Sequence, residues 1–326
     1  MEKAEASRKI EAKKRGNTLG VWFFRIFLRF FGLRGAYGLL YIVCIYYVLF
    51  DRAAVCGAAA YIKRRFPSHG FVKRLRHIYL LFVSQGKQLI DRYAIVSGQE
   101  IFDIQIRGYE QIESLVQSSK HGIVLLTAHV GNWQVAMTAL KKLEKTVYLV
   151  MRPEDNPAVQ SSLHISREQN HIKIISPEQD LGGIIEIMNK LKEKHIVSIM
   201  GDRRYGSKAV EASFLEEKAW FPYGGFTIAA AAKCPVVVLL SEKVSAYKYI
   251  VDVSNVLYPR YVSGEDKHHQ LQQWVQKFVA ILEEYTHKHP YQYFSFHDVW
   301  TEEVKNEGKK RDEIDMYDIV VHSCYN

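Results

Sequence analysis

From residue 71 to residue 287 the chain switches between two hydrophobic periods. Apolar positions recur at helical spacing over 71–96, 109–119, 132–143, 156–170, 181–194, 224–233 and 267–287. Between them lie short apolar or alternating runs: "FDIQIRG" (102–108), "GIVLLTA" (122–128), "TVYLVMR" (146–152), "IKIIS" (172–176), "HIVSIMGD" (195–202), "PVVVLLSEKV" (235–244) and a strand-like stretch at 247–256. Runs of that length read as strands. Strands separated by single helices predict an α/β fold: a mostly parallel central sheet flanked by helices. Such sheets hold their ligands at the carboxyl ends of the strands. His129, Arg152 and Asp202 each fall just past a predicted strand end. Three polar groups from three segments therefore converge on one edge.

The first 76 residues follow a different pattern. Residues 1–16 carry six Lys/Arg and three Glu, the composition of a basic flexible tail. Residues 19–50 are apolar and rich in aromatics. Arg25, Arg29 and Arg34 punctuate the first half, and the second half, Gly35 to Phe50, is 16 residues without a charge. The first half has the pattern of an interfacial amphipathic helix. The second is short against the roughly 20 apolar residues of a spanning helix. A secretory signal is a poor match, because the apolar stretch is too long and lacks a small-residue exit. "YIKRRFPSHGFVKRLR" (61–76) then adds six Lys/Arg and no acid. Basic residues around a short apolar anchor predict the cytoplasmic face of a membrane. The domain reading is a basic tail at 1–18, a membrane-associated helical segment at 19–60, a catalytic-type domain at 61–303 and a C-terminal tail at 304–326.

Composition narrows the function classes. Of 326 residues, 48% are hydrophobic and 24% charged, so the chain folds around an ample core. A formal charge of +9 suits an anionic partner: nucleic acid, membrane or an acidic carrier protein. The aromatics near the basic stretches lie in apolar runs, which argues against nucleic acid. Cys44, Cys56, Cys234 and Cys324 are scattered without metal-ligand spacing and read as free thiols. His268-His269 and His287-Lys288-His289 lack the carboxylates and cysteines of a metal site. There is no Gly-x-Ser-x-Gly elbow, Walker loop or dinucleotide Gly-x-Gly-x-x-Gly.

The remaining chemistry centres on "IVLLTAHVGNWQVAM" (123–137). A neutral imidazole at a strand end can take a proton from a hydroxyl. A carboxylate would hold its other N–H and stabilise the imidazolium. Gly131 and Asn132 fit a turn and a helix start. Arg152 in "VMRPEDNP" and Arg203-Arg204 in "GDRRYG" are candidate anion ligands, with surface ion pairing as the plain alternative. In "AWFPYGGFTIAAAA" (219–232), Pro222, Gly224 and Gly225 precede a helix of small residues, fit for a narrow apolar channel or for close helix packing.

These pieces, in this order, resemble the late acyltransferases of lipid A synthesis, the lauroyl/myristoyl-transferase group within the glycerolipid acyltransferase fold. The resemblance runs from about residue 20 to 300. It rests on the N-terminal apolar helix leading to "RRFP", on "TAHVGNWQ" for the family's His-x-x-x-x-Asp/Glu block, and on "RPEDNP", "GDRRY", "FLEEKAWFPYGGFTIAAAAKCPVVVL" and "HPYQYFSFHDVW". It implies an O-acyltransferase on the cytoplasmic face of the bacterial inner membrane. The donor would be an acyl-carrier-protein thioester and the acceptor a hydroxyl of a membrane glycolipid, typically a lipid A precursor. Other lipid or polyene acceptors are served by the same scaffold. No metal or organic cofactor is implied, since phosphopantetheine arrives with the carrier. His129 would be the general base. Asn132, Arg152, Arg203, Arg204, Phe221, Pro222 and Gly224 would line the substrate site.

One position departs from the family pattern: Gln134 stands where Asp or Glu is usual. An amide oxygen can orient the imidazole but brings no negative charge. In a serine protease the analogous Asp→Asn change costs about four orders of magnitude in turnover. Three readings follow: Gln134 acts as a neutral orienter, another carboxylate such as Asp202 supplies the charge, or the protein is a non-catalytic binding relative.

Overall fold

A computed structural model of the chain describes residues 18–99, 101–151, 171–177, 183–204 and 208–301. Its helices and strands follow in chain order. α1 (Thr18–Phe50), α2 (Arg52–Arg65) and α3 (Phe71–Val96) precede β1 (Asp103–Arg107), α4 (Tyr109–Ser118), β2 (Ile123–Thr127) and α5 (Trp133–Ala139), which ends in a 3₁₀ turn. β3 (Val147–Val150), β4 (Ile172–Ile175), α6 (Ile184–Lys192) and β5 (Ile196–Met200) come next. A hairpin of β6 (Ala209–Phe214) and β7 (Glu217–Pro222) leads to α7 (Gly224–Ala232), β8 (Val236–Lys243), β9 (Lys248–Leu257) and α8 (Lys267–Lys288). The helix predicted over 156–170 lies outside the described residues.

The seven strands of the main sheet run in the order β1-β9-β8-β2-β5-β3-β4. Five of the six pairings are parallel; β8 and β9 are antiparallel neighbours. The expected α/β class is therefore the observed one. β2 is buried along its whole length because helices cover both faces. Val124 and Leu126 point into one core with α1–α3, α7 and α8, while Ile123 and Leu125 point into the other with α4 and α5.

α1 is helical throughout except at Gly32, where φ is 65° and the axis breaks. The break falls inside the Arg-punctuated half, so Arg34 lies on the same helical piece as the uncharged residues from Gly35 to Phe50. Ile26–Phe50 is long and apolar enough to cross a membrane by length and composition. One face of it, Leu28, Leu33, Ala36, Tyr37, Leu40 and Cys44, is buried. That face packs antiparallel on α3. The Tyr79 hydroxyl donates to the Tyr41 carbonyl, and Tyr37 reaches Asp91 one helix-length along. The opposite face is bare: Phe30, Ile42, Tyr46, Leu49 and Phe50 are exposed. Cys44 and Cys234 are free, buried thiols.

Candidate active site

The strand register builds the site. β2 and β5 are parallel neighbours, and Thr127 pairs with Met200 at their carboxyl ends. Two residues farther along each chain stand His129 and Asp202. Adjacent strands lie about 4.8 Å apart, so the two side chains meet just beyond the sheet edge. His129 Nδ1 is 2.8 Å from Asp202 Oδ1, and the His129 backbone N–H donates to Oδ2 at 2.9 Å. Both oxygens of one carboxylate therefore hold one residue, by ring and by main chain.

Asp202 is fully buried, while the His129 side chain keeps 23% of its surface exposed. Burial alone would push the Asp202 carboxyl up. The charge and hydrogen bonds of His129, with Arg203 next to it, outweigh that and hold it below the usual carboxylate range. An ionised carboxylate only accepts hydrogen bonds, so Nδ1 carries the ring proton. In the neutral ring Nε2 is then left with its lone pair, on a side chain that is partly exposed.

The turn after β2 is tightly specified. Gly131 has φ 51°, and a Cβ there would lie 1.7 Å from the Ser241 carbonyl oxygen, so only glycine fits. The C-terminal segment that follows α8 lies along this turn. Phe294 N–H donates to the His129 carbonyl at 2.7 Å, Gly131 N–H to the Gln292 carbonyl at 2.9 Å, and Val130 pairs with Tyr293. The aromatic "HPYQYFSF" run thus works as a main-chain strap over the histidine.

The other candidates separate. Arg203 reaches the strap, donating from Nη2 to the Phe294 carbonyl at 3.3 Å, and its buried Nε–H has no partner among the described residues. Arg204 donates to the Thr301 carbonyl at 3.1 Å. Gly224 opens α7 with free space around it, and Pro222 closes the β6–β7 hairpin opposite Ala209. Two of the residues expected to line the substrate site have buried side chains. Asn132 is buried: its Oδ1 caps α5 at the Val135 N–H and its amide donates to the Gln88 carbonyl at 3.0 Å. Phe221 is fully buried, edge-on to Phe214 at 5.5 Å. Both are structural, one as a cap and one as core packing. Arg152 and the Gln134 side chain lie outside what the structure describes. Among the described residues no three His, Cys, Asp or Glu side chains cluster as metal ligands would.

Of the three readings of the histidine's support, the structure brings Asp202 within hydrogen-bond distance of the His129 ring, as the shared sheet edge allowed. Sequence reading did not single out Ser241 or Gln88, or Gln292 within the "HPYQYFSFHDVW" run, although all three hold the turn: Ser241 Oγ accepts the Asn132 N–H, and the Gln88 and Gln292 carbonyls accept from Asn132 and Gly131.

The fold and the site together are those of an α/β protein that carries a His–Asp pair at the carboxyl ends of two neighbouring parallel strands. The chain belongs to the bacterial lipid A biosynthesis acyltransferases, whose family model matches residues 57–302. It is accordingly an acyltransferase acting on a lipid. Among solved structures it is similar to the 1-acyl-sn-glycerophosphate acyltransferase of Thermotoga maritima. That match has 12% identity over 75% of this chain and 94% of the other, with a TM-score of 0.36. No curated protein matches the chain.

Proposed function

We propose that the protein moves a fatty acyl chain from an acyl-carrier-protein thioester to a hydroxyl of a lipid A precursor, with His129 as general base. The observation that carries this reading is the 2.8 Å contact between His129 Nδ1 and the buried Asp202 carboxylate. Nε2 takes the proton of the acceptor hydroxyl as its oxygen attacks the thioester carbonyl. The C–S bond breaks, and the departing phosphopantetheine thiolate takes the proton back from the imidazolium. Asp202 stabilises the imidazolium between those steps, the task the family pattern gives to the position of Gln134. A thioester is already activated, so one positioned base and hydroxyl suffice.

Arg203 suits an anionic head group, because a buried N–H without a partner is a cost that a phosphate oxygen would remove. The net charge of +9 favours both a phosphorylated glycolipid and an acidic carrier protein. The apolar face of α1 and the basic stretch at 61–76 support attachment to the cytoplasmic face of the inner membrane.

The test is transfer by purified protein in detergent micelles, given acyl-loaded carrier protein and a lipid A precursor bearing free 3-hydroxyacyl chains. Mass spectrometry should show the acceptor gaining one acyl chain. Replacing His129 by Ala should lower turnover by about 10²- to 10⁴-fold. Full turnover by that variant would remove the catalytic assignment.

A further inference from the structure

The His129 turn is held from outside its own segment, and the holding group is a side chain with no catalytic appearance. Gln292 sits in the strap. Its main-chain carbonyl accepts the Gly131 N–H at 2.9 Å. Its side chain meanwhile pairs with both main-chain groups of Lys243 at the end of β8. The Lys243 N–H donates to Oε1 at 2.8 Å, and Nε2 donates to the Lys243 carbonyl at 3.0 Å. The amide thus continues the sheet sideways by one unit and clamps the strap to it.

Both sides of this clamp are anchored. The Lys243 ammonium is paired with Asp91 of α3, which is fully buried and also accepts the Tyr249 and Tyr37 hydroxyls. Gln88, one turn before Asp91, donates to Gln292 Oε1 at 3.4 Å and accepts from the Asn132 amide. The turn carrying His129 is consequently gripped at Gly131 and Asn132 by groups that converge on Gln292.

We infer that Gln292 is a positioning residue for His129: its side-chain amide, locked on Lys243, fixes the strap that fixes the catalytic turn. The inference rests on His129 being the general base. Its effect is geometric. A base displaced by about 1 Å from its working position costs up to roughly a hundredfold in rate.

The molecule supplies its own control. Gln276 of α8 makes the same two-bond pairing with Ser213 of β6, Oε1 accepting at 2.8 Å and Nε2 donating at 3.1 Å, and touches nothing at the turn. Gln292→Met and Gln276→Met both delete such a pairing at nearly constant volume. They are compared in the micelle assay, with rates normalised to folded protein by circular dichroism. Gln292→Met should lower kcat by about tenfold or more with KM for donor and acceptor within about twofold. Gln276→Met should lose a similar amount of melting temperature and keep kcat. If Gln292→Met does not fold, Gln292→Glu answers the same question, because it keeps the length but sets a carboxylate against the Lys243 carbonyl. Equal kcat in the two variants, or a loss confined to KM, overturns the inference. His129→Ala, run beside them, separates the two ideas. If it is active, the base assignment fails; if it is inactive while the Gln292 variants turn over normally, only the positioning role fails.

Discussion

One carboxylate on one strand end decides how the histidine works. Asp202 is buried, ionised and bonded to both the ring and the backbone of His129. Asp202→Asn keeps the shape but offers an amide whose N–H₂ can face Nδ1. That favours the tautomer with the proton on Nε2, which cannot act as base. Turnover in the micelle assay should fall on the order of 10³-fold, with the variant still folded. The same pair contributes to stability, and the sign follows from the shift. The Asp202 carboxyl is held below its ordinary range in the folded protein, so its contribution is fully present above the ordinary carboxylate pKa. It is lost as pH falls through the lower folded value. Wild type should therefore lose melting temperature on acidification below about pH 4 more steeply than Asp202→Asn does. Parallel acid-range curves for the two proteins would contradict the ionised pair.

At the level of elements, periodicity was enough to find all seven strands of the main sheet. Apolar runs such as 122–128 and 195–202 are legible because a strand covered on both faces has few ways to be written. Their adjacency was not legible. Which parallel strands touch depends on crossovers between distant segments, so the His129–Asp202 contact appears only once β2 and β5 share a register. The β6–β7 hairpin stayed hidden for a local reason. Its two-residue turn, Leu215 and Glu216, has φ of 53° and 65°, values that normally announce themselves as Asn-Gly or Gly-rich sequence. Tertiary contact substitutes for turn chemistry here: Leu215 is buried and its N–H donates to Glu283 of α8 at 2.9 Å. Glu216 has no such compensation and is exposed. Glu216→Gly should relieve left-handed strain worth about 1 kcal/mol and raise the melting temperature by about 2 °C, read by thermal unfolding. A fall in melting temperature would mean that the turn is not strained at this residue.

At the scale of the whole molecule, the packing of α1 decides between two modes of the proposed membrane attachment. A helix that crosses alone presents its full circumference to lipid. α1 does not: Ala36, Tyr37 and Leu40 are sealed against α3, whose Gly86 lets the Leu40 side chain approach closely. α3 carries Lys87, Gln88 and Asp91 along that contact, and Asp91 is bonded through Lys243 into the sheet. Pulling α1 across a bilayer would strip this packing or drag charged groups into hydrocarbon, at several kcal/mol for each unsatisfied group. Lying in the surface costs neither. In that arrangement the bare face of Ile42, Ile45, Tyr46 and Leu49 would enter the leaflet while the packed face stays on the protein. The consequence is a face-dependent mutational response. Ile42→Glu and Ile45→Glu should each weaken binding to anionic phospholipid vesicles by about tenfold or more, with an unchanged melting temperature. Leu40→Glu, only two residues away, should instead unfold or strongly destabilise the protein. A spanning helix predicts no such split, because all three positions would sit in hydrocarbon. Equal losses of membrane association at positions 40, 42 and 45, with stability untouched, would refute the in-plane arrangement.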